Sequence, residues 1–143
     1  MKAITYLKQI KIMDAKINSD IEELASLEAL ATKTTAVMGG ERVQASGSQQ
    51  KMADCVVKIV EMKEQINKEV DAFIEYKKEA RHILAQCDAD CINLLHRRYF
   101  QFKTWEQIAV EMNFTYQWVS GGLHQKALSQ VQKGIDEHYE SKA

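Results

Sequence analysis

Apolar side chains recur at helical spacing through most of the chain. Between Ile4 and Ala31 they stand at Leu7, Ile10, Met13, Ile17, Ile21, Leu24 and Leu27, in steps of three or four residues. Such steps put them on one stripe of a helix. Ile10, Ile17, Leu24 and Ala31 keep a seven-residue repeat, while Lys8, Lys11, Asp20, Glu22 and Glu23 fall on the other face. A second stripe starts near Met52. Met52, Ile59, Ile66, Phe73 and Ala80 again repeat every seven residues, with Cys55 or Val56, Met62, Val70, Tyr76 and Leu84 in the alternate positions. The pattern predicts two long coiled-coil-like helices. Neither can bury its stripe alone. An antiparallel hairpin with Ile10, Leu24, Ile59 and Phe73 in its interhelical core is the least demanding solution. Oligomerisation through the same seams is the rival.

Between the stripes, Lys33 to Lys51 holds three of the six glycines and several Ser, Thr and Gln. It reads as a long flexible linker over 33–50, and loops of that length are often functional or disordered. The pattern changes near Asp88. Asp88 or Asp90 is placed to cap a helix running through CINLLHRRYF, because a carboxylate satisfies free N–H groups there. After the short turn QFK, Thr104 opens the helix TWEQIAVEMN, and Thr104 with Gln107 has capping-box spacing. Asn113 suits a left-handed helix end. Thr115 caps a last helix that runs from Tyr116 to about Glu140. Leu94, Leu95 and Tyr99, then Ile108, Ala109 and Met112, then Val119, Leu123, Ala127 and Val131 are the inward positions. Short connections between three such helices predict a helix-turn-helix unit. The expected fold is all-α: a helical hairpin over 1–87 and a helix-turn-helix domain with an extended C-terminal helix over 88–143.

Composition supports this without naming a partner. The 143 residues contain no proline, where average usage of roughly 5% would give about seven. Proline breaks helices, so long helices are favoured. The net charge of −1 sets up no strong field over the whole chain. It is unevenly spread. Within 93–134, Arg97, Arg98, Lys103, Lys126 and Lys133 face only Glu106 and Glu111, whereas basic and acidic side chains balance over 1–87. Positive charge therefore gathers on the helix-turn-helix, where phosphates would lie. Lys8 and Lys11 interrupt any signal-peptide core, and no apolar run approaches the roughly 20 residues of a membrane span. Three scattered cysteines fit reduced thiols in a cytoplasm better than a disulfide framework.

Other chemistry finds little support. Cys87 and Cys91, flanked by His82 and His96, lack zinc-finger spacing, and buried thiols are the better reading. Trp105 is expected to close the domain core, although both tryptophans, Trp105 and Trp118, could stack on bases. There is no phosphate-cradling glycine loop, nucleophile elbow or HExxH. Neither an enzyme nor a cofactor or metal is expected.

The segment LLHRRYFQFKTWEQIAVEMNFTYQWV, followed by LHQKAL, resembles region 4 of bacterial sigma factors. The whole chain, with Arg42–Met52 matching an RVQxSGSxxKM segment, resembles the ArpU and RinA type of phage late-gene transcriptional regulators. The resemblance implies sequence-specific duplex DNA binding in transcriptional regulation of phage or prophage genes, in a bacterial host cytoplasm. It also implies contact with RNA polymerase, as sigma region 4 makes. A homo-oligomer, with a dimer favoured, would join two half-sites through the hairpin. A DNA-packaging component of the small-terminase kind and a helical protein-interaction module without DNA binding are the alternatives. Carried onto this chain, Tyr116, Gln117, Ser120 and His124 are the candidates for base edges. Arg97, Arg98, Lys103, Thr104 and Lys126 are the candidates for phosphates. Val119 and Ala127 stand one residue further apart than the pattern leads one to expect, with Gly121 and Gly122 between them. The extra residue predicts a π-bulge or a kink in the recognition helix.

Overall fold

A computed structural model describes residues 1–40 and 46–142, and the side chains of these outside 34–48. The described chain is all-α, without strands. Two long helices come first, α1 (Ala3–Gly40) and α2 (Ser46–Leu84). They are followed by α3 (Ala89–Leu95), α4 (Trp105–Met112) and α5 (Leu123–Lys142). A π-helical turn over His96–Phe100 continues α3, and another over Trp118–Gly122 leads into α5. Of the linker expected over 33–50, residues 33–40 and 46–50 have helical backbone, and 41–45 lie outside the described residues. No proline interrupts the run. Ala favours a helix, and Thr and Ser each weaken one by only about 0.7 kcal/mol or less, too little to end it. No helix among the described residues is long and apolar enough to cross a membrane.

The chain forms two compact units, Met1–Met13 with Phe73–Ala143, and Asp14–Ala72. The division therefore lies away from the 87/88 boundary expected from the patterning. The reason is the core of the first unit. Tyr6, Leu7 and Ile10 of α1 and Ala80, Ile83 and Leu84 of α2 are buried in one cluster with Leu94, Leu95, Tyr99, Ile108, Val119, Leu123, Ala127, Val131 and Ile135. The ends of the two long helices thus serve the later helices. Phe73, expected in an interhelical core, is half-buried against this cluster.

Several contacts fix the first unit. The Tyr6 and Tyr76 rings stack with centroids 5.0 Å apart, and the Tyr76 hydroxyl donates to the Tyr6 carbonyl at 2.8 Å. Tyr6 and Tyr139 hydroxyls each donate to Glu79 Oε1 at 2.9 Å. Burial pushes up the Tyr6 and Tyr76 phenols, the latter to about 12. Gly134 lets α5 approach α2: a Cβ there would stand 2.9 Å from Ile83 Cγ2. The side chain of Gln132 accepts from the Ala3 N–H at 2.7 Å, filling one of the free donors at the start of α1. Cys87 and Cys91 are buried thiols, and burial raises both, Cys87 to about 11.

In the second unit the two long helices run antiparallel. Lys16 pairs with Glu69 at 3.4 Å and, further along α1, Glu28 pairs with Lys63, earlier on α2, at 4.0 Å. Ile17, Cys55 and Ile66 are buried, while Leu24 and Ile59 of the expected seam are half-buried. Ile21, Val56, Val57 and Val60 remain about half exposed.

Candidate nucleic-acid interface

The C-terminal elements are held by local chemistry. Thr104 has extended backbone, and its hydroxyl accepts from the Gln107 N–H at 3.2 Å. The Gln107 side chain accepts from the Thr104 N–H at 2.9 Å, completing a capping box on α4. At the other end Asn113 takes φ 60°, ψ 42°. The Phe114 N–H returns to the Ala109 carbonyl at 3.0 Å, so the chain leaves α4 in a left-handed step. Thr115 then caps the last helix: its hydroxyl accepts from the Trp118 N–H at 3.2 Å. Between α3 and α4, Phe102 also lies in the left-handed region, at φ 57°. Its ring packs on the core, with Lys11 Nζ 5.9 Å from its centroid. Asp88 sits at the start of α3, but its carboxylate makes no cap. It accepts from Gln130 Nε2 at 2.8 Å and pairs with Lys126 Nζ at 3.1 Å. Those two contacts, Gln130 first, hold it below the usual carboxylate range.

The extra residue between Val119 and Ala127 is taken up by the π-helical turn over Trp118–Gly122. A π-turn inserts one residue, so everything after it is rotated by about 100° relative to an uninterrupted α-helix. This decides which candidate residues face out. Tyr116 and Gln117, before the turn, are exposed. Ser120, within it, is half-buried, and its hydroxyl donates to the Tyr116 carbonyl at 2.7 Å. His124 was expected at a base edge and is instead turned inward, with 9% of its surface exposed. Its Nε2 is hydrogen-bonded to the Tyr99 hydroxyl at 2.7 Å, and the Trp105 ring meets it edge-on at 4.7 Å. Burial, followed by the charges of Arg98 and Lys8, lowers its pKa. Burial likewise raises Tyr99 to about 12. His124 is thus a neutral core residue. Gln125 takes the exposed position next to it. Uninterrupted α-helical counting from Ser120 could not find it.

The basic candidates divide by what holds them. Arg98 is half-buried. It donates from Nη1 to the Lys103 carbonyl at 3.0 Å, and its guanidinium lies 4.3 Å from the Trp105 centroid. It braces the α3–α4 turn, and Trp105 packs against the core beneath it. Thr104 spends its hydroxyl on the capping box. Arg97 and Lys103 both converge on Glu111. Arg97 Nη1 is 3.1 Å from Oε1, and Lys103 Nζ donates to both carboxylate oxygens. Lys103, then Arg97, keeps Glu111 below the usual range. Lys126 is half exposed beside Asp88. Every candidate cation except Arg98 therefore already sits against a carboxylate, at a surface where such pairs exchange readily.

The same surface exposes large apolar side chains. Val110 is 82% exposed, Tyr116 45%, Trp118 44% and Phe114 37%. Asn113, Phe114, Thr115 and Trp118 line an open cleft of about 500 Å³. Comparison with family models, curated proteins and solved structures finds no match for this chain.

Proposed function

We propose that this chain binds duplex DNA through the segment from α3 to α5 and acts as a transcriptional regulator of phage or prophage genes, related to region 4 of sigma factors. One observation carries the reading. The Thr115-capped start of the last helix projects Tyr116, Gln117 and Trp118 outward, and no acidic side chain lies between Glu111 and Asp136. A helix that reads the major groove does so with its N-terminal residues, and a segment with no carboxylate of its own adds no repulsion toward phosphate. Gln117 is the candidate for an adenine edge. Arg97, Lys103 and Lys126 would exchange their carboxylate partners for phosphates. The bacterial cytoplasm, contact with RNA polymerase and a homodimer spanning two half-sites belong to the same proposal.

A second reading, a helical protein-interaction module, draws on the internal pairing of Arg97 and Lys103 with Glu111 and on the exposed Val110. Selection of bound duplexes from a randomised pool at about physiological salt separates the two. An enriched motif, with Gln117→Ala relaxing preference at one position, is the expected result. A folded protein that enriches nothing would leave protein interaction as the better account.

A further inference from the structure

The π-turn contains a glycine whose absent side chain has a specific use. A Cβ built on Gly122 would stand 2.4 Å from Trp118 Cζ3 and 2.8 Å from Cε3. The six-membered ring of Trp118 therefore lies over the bare backbone of Gly122, one turn further along its own helix. Glycine inside a helix is unfavourable relative to alanine, and at Gly122 its missing Cβ makes room for the indole. At Gly121 a Cβ would meet nothing within 4 Å. The outward surface between Trp118 and Gln125 is thus a flat ring over two glycines, with a half-buried Ser120 whose hydroxyl is turned to the Tyr116 carbonyl. Trp118 keeps 44% of its surface exposed and shares an open cleft with Phe114.

Resting on the DNA-binding reading above, we propose that Trp118 is a base-contacting residue that recognises thymine by its 5-methyl group. Three features select this ligand. The indole stands in the first turns after the Thr115 cap, where a reading helix meets base edges. One face of the ring is closed by Gly122, so the ring cannot be sandwiched between bases as a wedge or as a single-strand stacking platform would be. Only the free face and edge can be offered. The thymine methyl is the one apolar group that the major groove presents to such a surface. The helix itself is compatible with a polyanion, because Lys126 and Lys133 are the only ionic side chains other than histidine between Glu111 and Asp136 in sequence.

The test uses the full chain and the duplex enriched from the randomised pool. Each thymine of that duplex is replaced in turn by deoxyuridine, which removes only the methyl, and affinity is read by fluorescence anisotropy. One thymine in each half-site is expected to lose about fourfold in affinity, the worth of one buried methyl group. Trp118→Ala should abolish that loss and leave the salt dependence unchanged. Gly122→Ala, which displaces the ring, should shrink it. Circular dichroism confirms that each variant is folded, and the deoxyuridine series on the unaltered protein stands without any variant. If the unaltered protein binds its duplex and no thymine matters, or if Trp118→Ala keeps the same methyl dependence, the Trp118 assignment fails and DNA reading stands. If the folded protein enriches no duplex, DNA reading fails and the assignment with it, and the aromatic surface is then better explained as a protein-docking face.

Discussion

The two units of this chain are built from the same kind of helix and differ in what those helices bury. In the unit formed by Met1–Met13 and Phe73–Ala143, nineteen side chains join one buried cluster drawn from all five helices, both π-turns and the α2–α3 connection. In Asp14–Ala72, only Ile17, Cys55 and Ile66 are buried among the described residues. The same two heptad repeats run from one unit into the other. The difference teaches that a seam of two helices is too narrow to remove its own apolar residues from water, whereas later helices packed around the same stripe do so. Burial of apolar area, at roughly 25 cal/mol per Å², then concentrates stability in the first unit.

The largest effect that would sharpen this contrast comes from cavities. Leu94→Ala, at a fully buried position, should lower stability by about 3–4 kcal/mol, and Ile66→Ala by about 2 kcal/mol or less, in urea melts. Equal losses would erase the distinction. Gly134→Ala comes next. The added methyl meets Ile83 Cγ2, so overpacking of about 1–3 kcal/mol is expected, partly relieved by Ile83→Leu, which lacks that γ-methyl.

Acid should act on the same unit. His124 and His96 have pKa values lowered, each chiefly by burial. The unfolded chain binds the extra protons below about pH 6.5, so the stability these residues contribute is complete above that pH. It declines as pH falls toward the folded values. The melting temperature should therefore drop between pH 7 and 5, before the carboxylates titrate, and His124→Gln should flatten the slope. A slope unchanged by that variant would count against a neutral buried His124. The smallest effect bears on the interface. Glu111→Gln frees Arg97 and Lys103, and duplex affinity at low salt should rise about two- to fivefold, the range expected when a surface pair is released. Thermal stability should hardly move. A fall in affinity would show that Glu111 organises the surface.

What could be read in the sequence was what neighbouring residues decide among themselves. The Thr104–Gln107 box, the left-handed Asn113 and the Thr115 cap each need only a few consecutive residues. The one-residue excess between Val119 and Ala127 was visible as an insertion, and a π-turn is its structural form. His124 was placed at a base edge all the same, because helical counting was carried across the insertion, and the direction in which the turn rotates it was not legible. Arg98 was read as a free cation, since stacking on Trp105 brings together residues of two different helices. Asp88 or Asp90 was read as a cap; Asp88 stands at that position, but Gln130 and Lys126 reach it from α5 and engage its carboxylate. The boundary at 87/88 came from treating each heptad stripe as one face with one partner, whereas Ile10 and Ala80 belong to a core completed by helices much later in the chain.

The turn at Phe102 has a consequence of its own. Its backbone has the handedness of a D-residue, and holding an L-phenylalanine there is unfavourable by roughly 1–2 kcal/mol. Glycine would relax the backbone but give up the ring's contact with the core. A mirror-image phenylalanine keeps the ring and suits the backbone, although it would aim the ring differently. The α3–α4 corner is therefore a small chiral latch. The packed core keeps it closed, and when the packing around Phe102 is loosened the corner should be among the first parts of the first unit to revert to an ordinary right-handed chain.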